Sequence, residues 1–324
     1  VKFLLSSGHS VCGYDAFTDY YDVGLKNNRH KILEGYKKFE SKVGMVEDKV
    51  ELNRKVEEFK PDIIVHLAAQ AGVRYSLENP EAYLTGNIVG TFNILEIARK
   101  LSIKHLLIAS TSSVYGSNIN MPFREIDKCD NQLTFYAASK KATENMAHSY
   151  SHLWSLPITM LRFFTVYGPW GRPDLALFKF VECMLSATPI DIYNHGEMFR
   201  DFTYIDDIVK SIVLLSDVVP EINPSENSNS LIDSLSPVAP FRIVNIGNSK
   251  KVRLLDFIQT IEEELKIIAL KNYLGMQTGD VPATLADVSL LKSLTGYQPN
   301  TNIRHGIRQF IEWYIKYYNI ERSK

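Results

Sequence analysis

The sequence predicts an α/β protein: a doubly wound, mostly parallel sheet in the first half, then a smaller, looser lobe. Between Ser10 and Phe164, short apolar runs alternate with segments of helical period, the pattern of successive βαβ units. Beyond Val166 the strands shorten and the loops lengthen. Composition agrees, because 324 residues at 45% hydrophobic and 23% charged can bury a sizeable core and exclude disorder as the main state. The first domain is placed at 1–165 and the second at 166–324, with some segments of the second returning to the first.

In order, Val1 to Gly8 reads as the end of an amphipathic helix stopped by a glycine, which implies more chain upstream. Ser10 to Asp15 is a short apolar strand closing on an acid, and Val50 to Phe59 is helical in period. Pro61 opens a strand through Ala69 that is apolar enough to be covered on both faces. Pro80 lies in the first turn of a long helix to about Lys100. A strand at 103–111, a helix at 136–154 and a strand at 156–164 complete a Rossmann-like half. Helices follow near 175–187, 206–217, 254–267 and 303–318; residues 223–240, rich in Ser, Asn and Pro, form a loop away from the chemistry.

With 36 Lys+Arg against 37 Asp+Glu, the chain has no general attraction for nucleic acid or anionic lipid, so neither is an expected partner. Cys12, Cys129 and Cys183 are odd in number and far apart, which encodes neither a disulfide framework nor a zinc site. No apolar run reaches the roughly 20 residues of a membrane span, and the cytoplasm is the expected compartment.

The strongest chemical signal is Tyr136-Ala-Ala-Ser-Lys140, two side chains four apart on one helix face. A Lys ammonium beside a phenol favours the phenolate, so the pair is expected to lower the Tyr136 pKa towards neutrality, as a general base on an alcohol requires. On its own such a pair is an ordinary helix turn. Upstream, however, the strand at 103–111 runs into Thr111, Ser112 and Ser113 at its C-terminal end, where sheets of this kind hold ligands. Together the residues read as a Ser/Thr, Tyr, Lys catalytic set. His148 and His152 are spaced as on a metal-binding helix but lack further ligands, so they read as a solvated face and no metal is expected.

These blocks, with His66 to Gly72, Asn87 to Gly90, the run 162–174, Arg200 to Ile208 and Gly279 to Asp287, follow one another over nearly the whole chain. In that order the sequence resembles the extended short-chain dehydrogenase/reductases, and among them the UDP-glucuronate 4-epimerases. The resemblance implies an NAD-dependent sugar-nucleotide epimerase acting through a 4-ketone. Tyr136 and Lys140 would be catalytic, assisted by a hydroxyl of Thr111, Ser112 or Ser113, a choice that spacing leaves open. It assigns Asp15 to the adenosine ribose, where a carboxylate repels the 2′-phosphate of NADP, and Val46, Leu67, Ala68, Ala69 and Asn87 to the rest of the cofactor. Ala16 and Met45 stand where relatives carry an Asn and an Asp. The usual glycine-rich loop would fall upstream of Val1, so no pyrophosphate glycines can be named.

On the substrate side it assigns Ser113, Thr165 and Arg172 to the sugar, Arg200 to the diphosphate, and Gln277 and Asp280 to the uridine ribose. Simpler readings are a surface ion pair of Arg200 with Asp201 or Asp206, and a loop pair of Arg172 with Asp174. The implied partners are a UDP-sugar and a second copy of the chain. A homodimer would pack the helices at 82–100 and 136–154; Ile88, Phe92, Leu95 and Met146 are compatible with that interface and equally with core. Rival readings are a UDP-glucuronate decarboxylase, another UDP-hexose 4-epimerase, or a non-catalytic NAD-dependent sensor. A 4,6-dehydratase is disfavoured because Ser112 and Ser113 replace its Asp-Glu pair.

Overall fold

The computed structural model describes residues 1–222 and 233–321, so only 233–240 of the expected loop at 223–240 lie within it; they form neither helix nor strand. The first elements are α1 (Lys2–Ser6), β1 (Val11–Asp15), α2 (Val23–Glu34), β2 (Phe39–Val43), α3 (Lys49–Phe59) and β3 (Ile63–His66). Two short helices, α4 (Tyr75–Glu78) and α5 (Glu81–Tyr83), lead into a π-helical turn at Leu84–Val89 and α6 (Gly90–Leu101). β4 (His105–Thr111), α7 (Phe135–Trp154) and β5 (Ile158–Phe163) follow.

β3, β4 and β5 pair in parallel, and the sheet is completed by β9 (Phe241–Ile246), a strand from the second half that pairs with β5. β1 and β2 form a separate parallel pair. Period-2 alternation sends Leu106 and Ile108 to one face, beneath α6 and α7, and Leu107 to the other, with Ile208 and Leu290. The run at Pro61 to Ala69 was expected to be covered on both faces, but Ile63, Ile64 and Val65 are only half-buried. Among the described residues β3 has a single strand partner, β4, and no strand pairs with its other edge.

The second lobe holds β6 (Thr165–Tyr167), α8 (Ala176–Leu185), β7 (Ile190–Ile192), β8 (Phe199–Tyr204), α9 (Ile205–Ser216), β10 (Lys251–Arg253), α10 (Leu254–Leu265), β11 (Lys271–Tyr273), α11 (Ser289–Thr295) and α12 (Ile303–Tyr317). β8 joins β6 and β10, β11 pairs with β7, and aromatics from α8 and α12 fill the core of this lobe.

Behind the main sheet lies a buried ion pair. Arg162 of β5 contacts Glu144 of α7 at 2.9 Å, both about 1% exposed, and the Ser110 hydroxyl donates to the same carboxylate at 2.6 Å. Removing one member of such a pair strands the other charge in a medium that cannot solvate it. Glu144→Ala is therefore expected to cost about 3–5 kcal/mol of stability, measurable as a lowered denaturation midpoint.

Candidate active site

The site is built where β4 ends. Thr111, extended at the end of that strand, accepts a hydrogen bond from the Ser113 backbone N–H at 3.1 Å and donates its hydroxyl to Ser113 Oγ at 3.2 Å, starting a 3₁₀ turn over Ser112–Tyr115. Gly116 closes the turn at φ +56, where a Cβ would lie 2.0 Å from the Asn131 carbonyl, so only glycine fits. Across from it, the Thr134 hydroxyl accepts from the Ala137 N–H at 3.2 Å and caps the start of α7. That cap sets Tyr136 and Lys140 facing the end of β4.

These groups line one cleft of about 1370 Å³ that also takes in Leu67, Ala69, Ser112, Thr165, Arg172, Arg200 and Asp280. The volume exceeds that of a typical drug-sized pocket, roughly 300–1,000 Å³, and leaves room for two sizeable ligands. Lys140 is 2% exposed, and no carboxylate among the described residues forms an ion pair with it. Burial drives its pKa down from the usual lysine value to about 8, with Glu144 opposing.

Tyr136 departs from expectation. Its pKa is raised, because burial of the phenol outweighs the influence of the neighbouring Thr111 hydroxyl and the charge of Arg172, which both act to lower it. Helical spacing puts Lys140 on the same face, and Arg172, from a loop distant in sequence, adds a positive charge that favours the phenolate. That loop starts at Gly168, φ +142, where a Cβ would meet Ile205 at 2.6 Å.

Arg172 contacts Asp174 at 3.2 Å, the simpler of the two partnerships considered for it, yet it does so on the cleft wall. Arg200 pairs with neither Asp201 nor Asp206. Asp201 is fully buried and takes the backbone N–H groups of Asn248, Ser249 and Ala286 at 2.7, 3.0 and 3.1 Å, while Arg200 donates to its neighbour's carbonyl, that of Phe199, at 2.9 Å and faces the cleft. Asp280 pairs with Arg74 at 3.3 Å, and that guanidinium lies 4.2 Å over the Tyr193 ring.

Five candidates do not line the cleft: Asp15, Val46, Ala68, Asn87 and Gln277. Asp15 ends β1 with an exposed carboxylate that accepts only the Phe17 N–H at 2.9 Å. The Val46 carbonyl accepts from Asn93 at 3.1 Å, and that of Gln277 from the Asp280 N–H at 3.2 Å. Asn87, fully buried in the π-helical turn, spends its amide on the Gln70 backbone at 2.7 and 3.1 Å and on Ser139 Oγ at 3.0 Å. It clamps the loop after β3 to α7 instead of presenting a donor to a ligand.

His148 and His152 are also not simply a solvated face: they reach Ser236 Oγ at 2.9 Å and the Val238 carbonyl at 2.7 Å and hold that segment against α7. Among the described residues no cluster of His, Cys, Asp or Glu could hold a metal ion. Sequence reasoning passed over Tyr20, Arg74 and Tyr193, all on the cleft wall. Arg74 stands two residues past Gly72 and was within reach of a motif reading; Tyr20 and Tyr193 lie in loops with no pattern to mark them.

Comparison with known proteins follows the same lines. The profile of the NAD dependent epimerase/dehydratase family matches residues 1–229. A probable UDP-glucuronate 4-epimerase of Rhizobium meliloti (strain 1021) is 51% identical over 317 residues, 98% of this chain and 93% of that protein. UDP-glucuronate 4-epimerase 4 of Arabidopsis thaliana is 43% identical over 329 residues, 99% of this chain and 73% of its own length. Among solved structures, the UDP-glucuronic acid 4-epimerase of Bacillus cereus, in complex with UDP-glucuronic acid and NAD, superposes with a TM-score of 0.86 at 29% identity, covering 98% of this chain and 95% of that one. With a parallel α/β sheet, a Tyr/Lys pair on α7 in the cleft where β4 ends, a family profile over residues 1–229 and a relative 51% identical over 98% of its length, this chain belongs to the NAD dependent epimerase/dehydratase family.

Proposed function

We propose that the chain interconverts UDP-glucuronate and UDP-galacturonate by inverting C4 of the sugar, with NAD as resident cofactor. The observation that carries the reading is that the Arg172 guanidinium lines the same cleft as Tyr136, Lys140 and the hydroxyls that end β4. A base for the 4-hydroxyl and a cation for a C6 carboxylate thus share one wall of the cleft. The residues present suit NAD. The buried Lys140 ammonium, without a carboxylate partner, is relieved by ribose hydroxyls, and the Asp15 carboxylate at the end of β1 disfavours a 2′-phosphate. Bound NAD supplies the acceptor for the C4 hydride and returns it to the opposite face of the ketone.

Tyr136 takes the 4-hydroxyl proton as the hydride leaves and gives a proton back when it returns. Thr111 or Ser113 hydrogen-bonds the reacting oxygen, Thr165 and Arg172 hold the carboxylate, Arg200 meets the diphosphate, and Asp280 lies towards the uridine ribose. The test is turnover of UDP-glucuronate against UDP-glucose, followed by NMR of the products: the acid is the expected preferred substrate, and a clear preference for the neutral sugar sinks the assignment.

The proposed working form is a cytoplasmic homodimer. On α6 and α7, Phe92, Leu153 and Trp154 are 40%, 65% and 45% exposed and form an apolar face with Tyr150. Of the four positions left between interface and core, Leu95 is fully buried in the core, Ile88 and Met146 are half-buried, and Phe92 is the exposed one. Phe92→Glu is expected to shift a dimer to monomer in light scattering; a monomeric parent removes the proposal. No helix among the described residues is long and apolar enough to cross a membrane.

A further inference from the structure

Beside Arg172 on the cleft wall stand two residues that the catalytic reading does not use, Asp174 and Tyr20. Asp174 Oδ2 is shared: the Arg172 guanidinium meets it through one nitrogen at 3.2 Å, and the Tyr20 hydroxyl donates to it at 3.3 Å. Asp174 Oδ1 is buried and has no hydrogen-bond partner among the described residues. Tyr20 belongs to the loop after β1 and is itself wedged in place. Its ring packs on Tyr75 at 4.9 Å, and a Cβ at Gly72, φ +108, would lie 2.7 Å from its hydroxyl. Burial and the Asp174 carboxylate push its pKa up to about 12, so it remains a donor. The Arg172 loop is braced from the other side as well. Trp170, at φ +64, packs against Trp313 and Tyr317 at 5.2 and 5.1 Å, and its carbonyl accepts from Arg29 at 3.2 Å.

We propose that Asp174, anchored by Tyr20, is a positioning residue that fixes the direction in which Arg172 presents its remaining donors to a sugar carboxylate. The inference rests on the reading of Arg172 given above. A carboxylate beside the guanidinium has two opposite effects. It repels the carboxylate of the substrate and so weakens binding, and it restricts the guanidinium to one orientation, leaving its other donors to engage the substrate side by side. The unpartnered Oδ1 can accept a second guanidinium N–H and complete a fork when the side chain settles.

Orientation matters because the 4-ketone formed in the reaction has the C6 carboxylate β to its carbonyl. If the C5–C6 bond turns perpendicular to the ketone plane, that bond breaks and carbon dioxide leaves. Its electron pair passes to C5 and the ketone oxygen as an enolate, and C5 is then protonated. The product is a 4-keto-pentose, and the hydride taken from C4 stays on the cofactor.

The two effects separate in kinetics. For Asp174→Asn, which keeps the shape and removes the charge, we expect kcat for epimerisation of UDP-glucuronate to fall about tenfold while KM holds or drops. The share of 4-keto-pentose in the products should rise several-fold. Tyr20→Phe should move both quantities in the same direction by about threefold, the worth of a single hydrogen bond, and carries the test if the Asp174 variant does not fold. Products are quantified by NMR beside the parent enzyme and Arg172→Ala. If Arg172→Ala shifts the product ratio and neither Asp174→Asn nor Tyr20→Phe does, or if KM rises with the ratio unchanged, the positioning role is overturned. If Arg172→Ala itself leaves the ratio at the parent value, the reading of Arg172 fails first.

Discussion

Tyr136→Phe is expected to lower turnover of UDP-glucuronate by roughly 10² to 10⁴, the range for loss of a general acid/base. That corresponds to about 3–5.5 kcal/mol of barrier. The substitution removes only the hydroxyl. The ring keeps its edge contact with Tyr83 at 6.0 Å and its place on the capped first turn of α7, so ligand binding should survive. Because burial raises the phenol's pKa, the protonated form dominates near neutrality, and parent activity should climb with pH until Tyr136 is ionised. The steady-state pH profile and ligand affinity of the two proteins check both points. Unchanged turnover in the variant removes Tyr136 from the chemistry.

The second large effect belongs to Arg172→Ala. A charge-assisted contact to a carboxylate contributes about 1.5–3 kcal/mol, so kcat/KM for UDP-glucuronate should fall roughly 10- to 100-fold. The loss should be larger for the acid than for UDP-glucose, which has no carboxylate to hold, and the decarboxylated pentose should increase among the products. Loss of the Arg172 charge also deprives the Tyr136 hydroxyl of one of the two influences that lower its pKa, so the alkaline limb of the pH profile should move upward. An unaltered ratio of acid to neutral-sugar turnover would show that Arg172 does not read the carboxylate.

What could be read from sequence divides along a physical line. Long periodic segments such as α6 and α7, and buried strands such as β4, announce themselves because one period dominates over many residues. β2, β6, β7, β10 and β11, three to five residues each, are too short to carry a period, and their pairings depend on partners far away in the chain. The order of the motifs identified the cleft, and Thr111, Tyr136, Lys140, Thr165, Arg172 and Arg200 do meet there.

Electrostatics was not legible in the same way. A four-residue spacing says that Tyr136 and Lys140 share a face, not how much water each loses, and desolvation outweighs the other influences on both. Nor does spacing show how a polar side chain is spent. Asn87 has the right neighbours for a ligand contact, but its amide is taken up by Gln70 and Ser139. Leu95, open from sequence between a dimer contact and core, is core because α6 turns that position towards the sheet.

The return of β9 to the main sheet has a consequence for synthesis. β5 pairs with β9 from Ile158↔Phe241 to Phe163↔Ile246, and β6, α8, β7, β8 and α9 are all translated between them. A ribosome adding roughly 5–20 residues per second leaves one edge of β5 without its partner for several seconds. During that interval Met160 and Leu161, fully buried in the finished fold, lie on a strand open along one side. Nascent chains arrested between α9 and β9 should therefore bind chaperones and be cut by protease within the first half, whereas chains arrested just past β9 should resist, although the first half is identical in both.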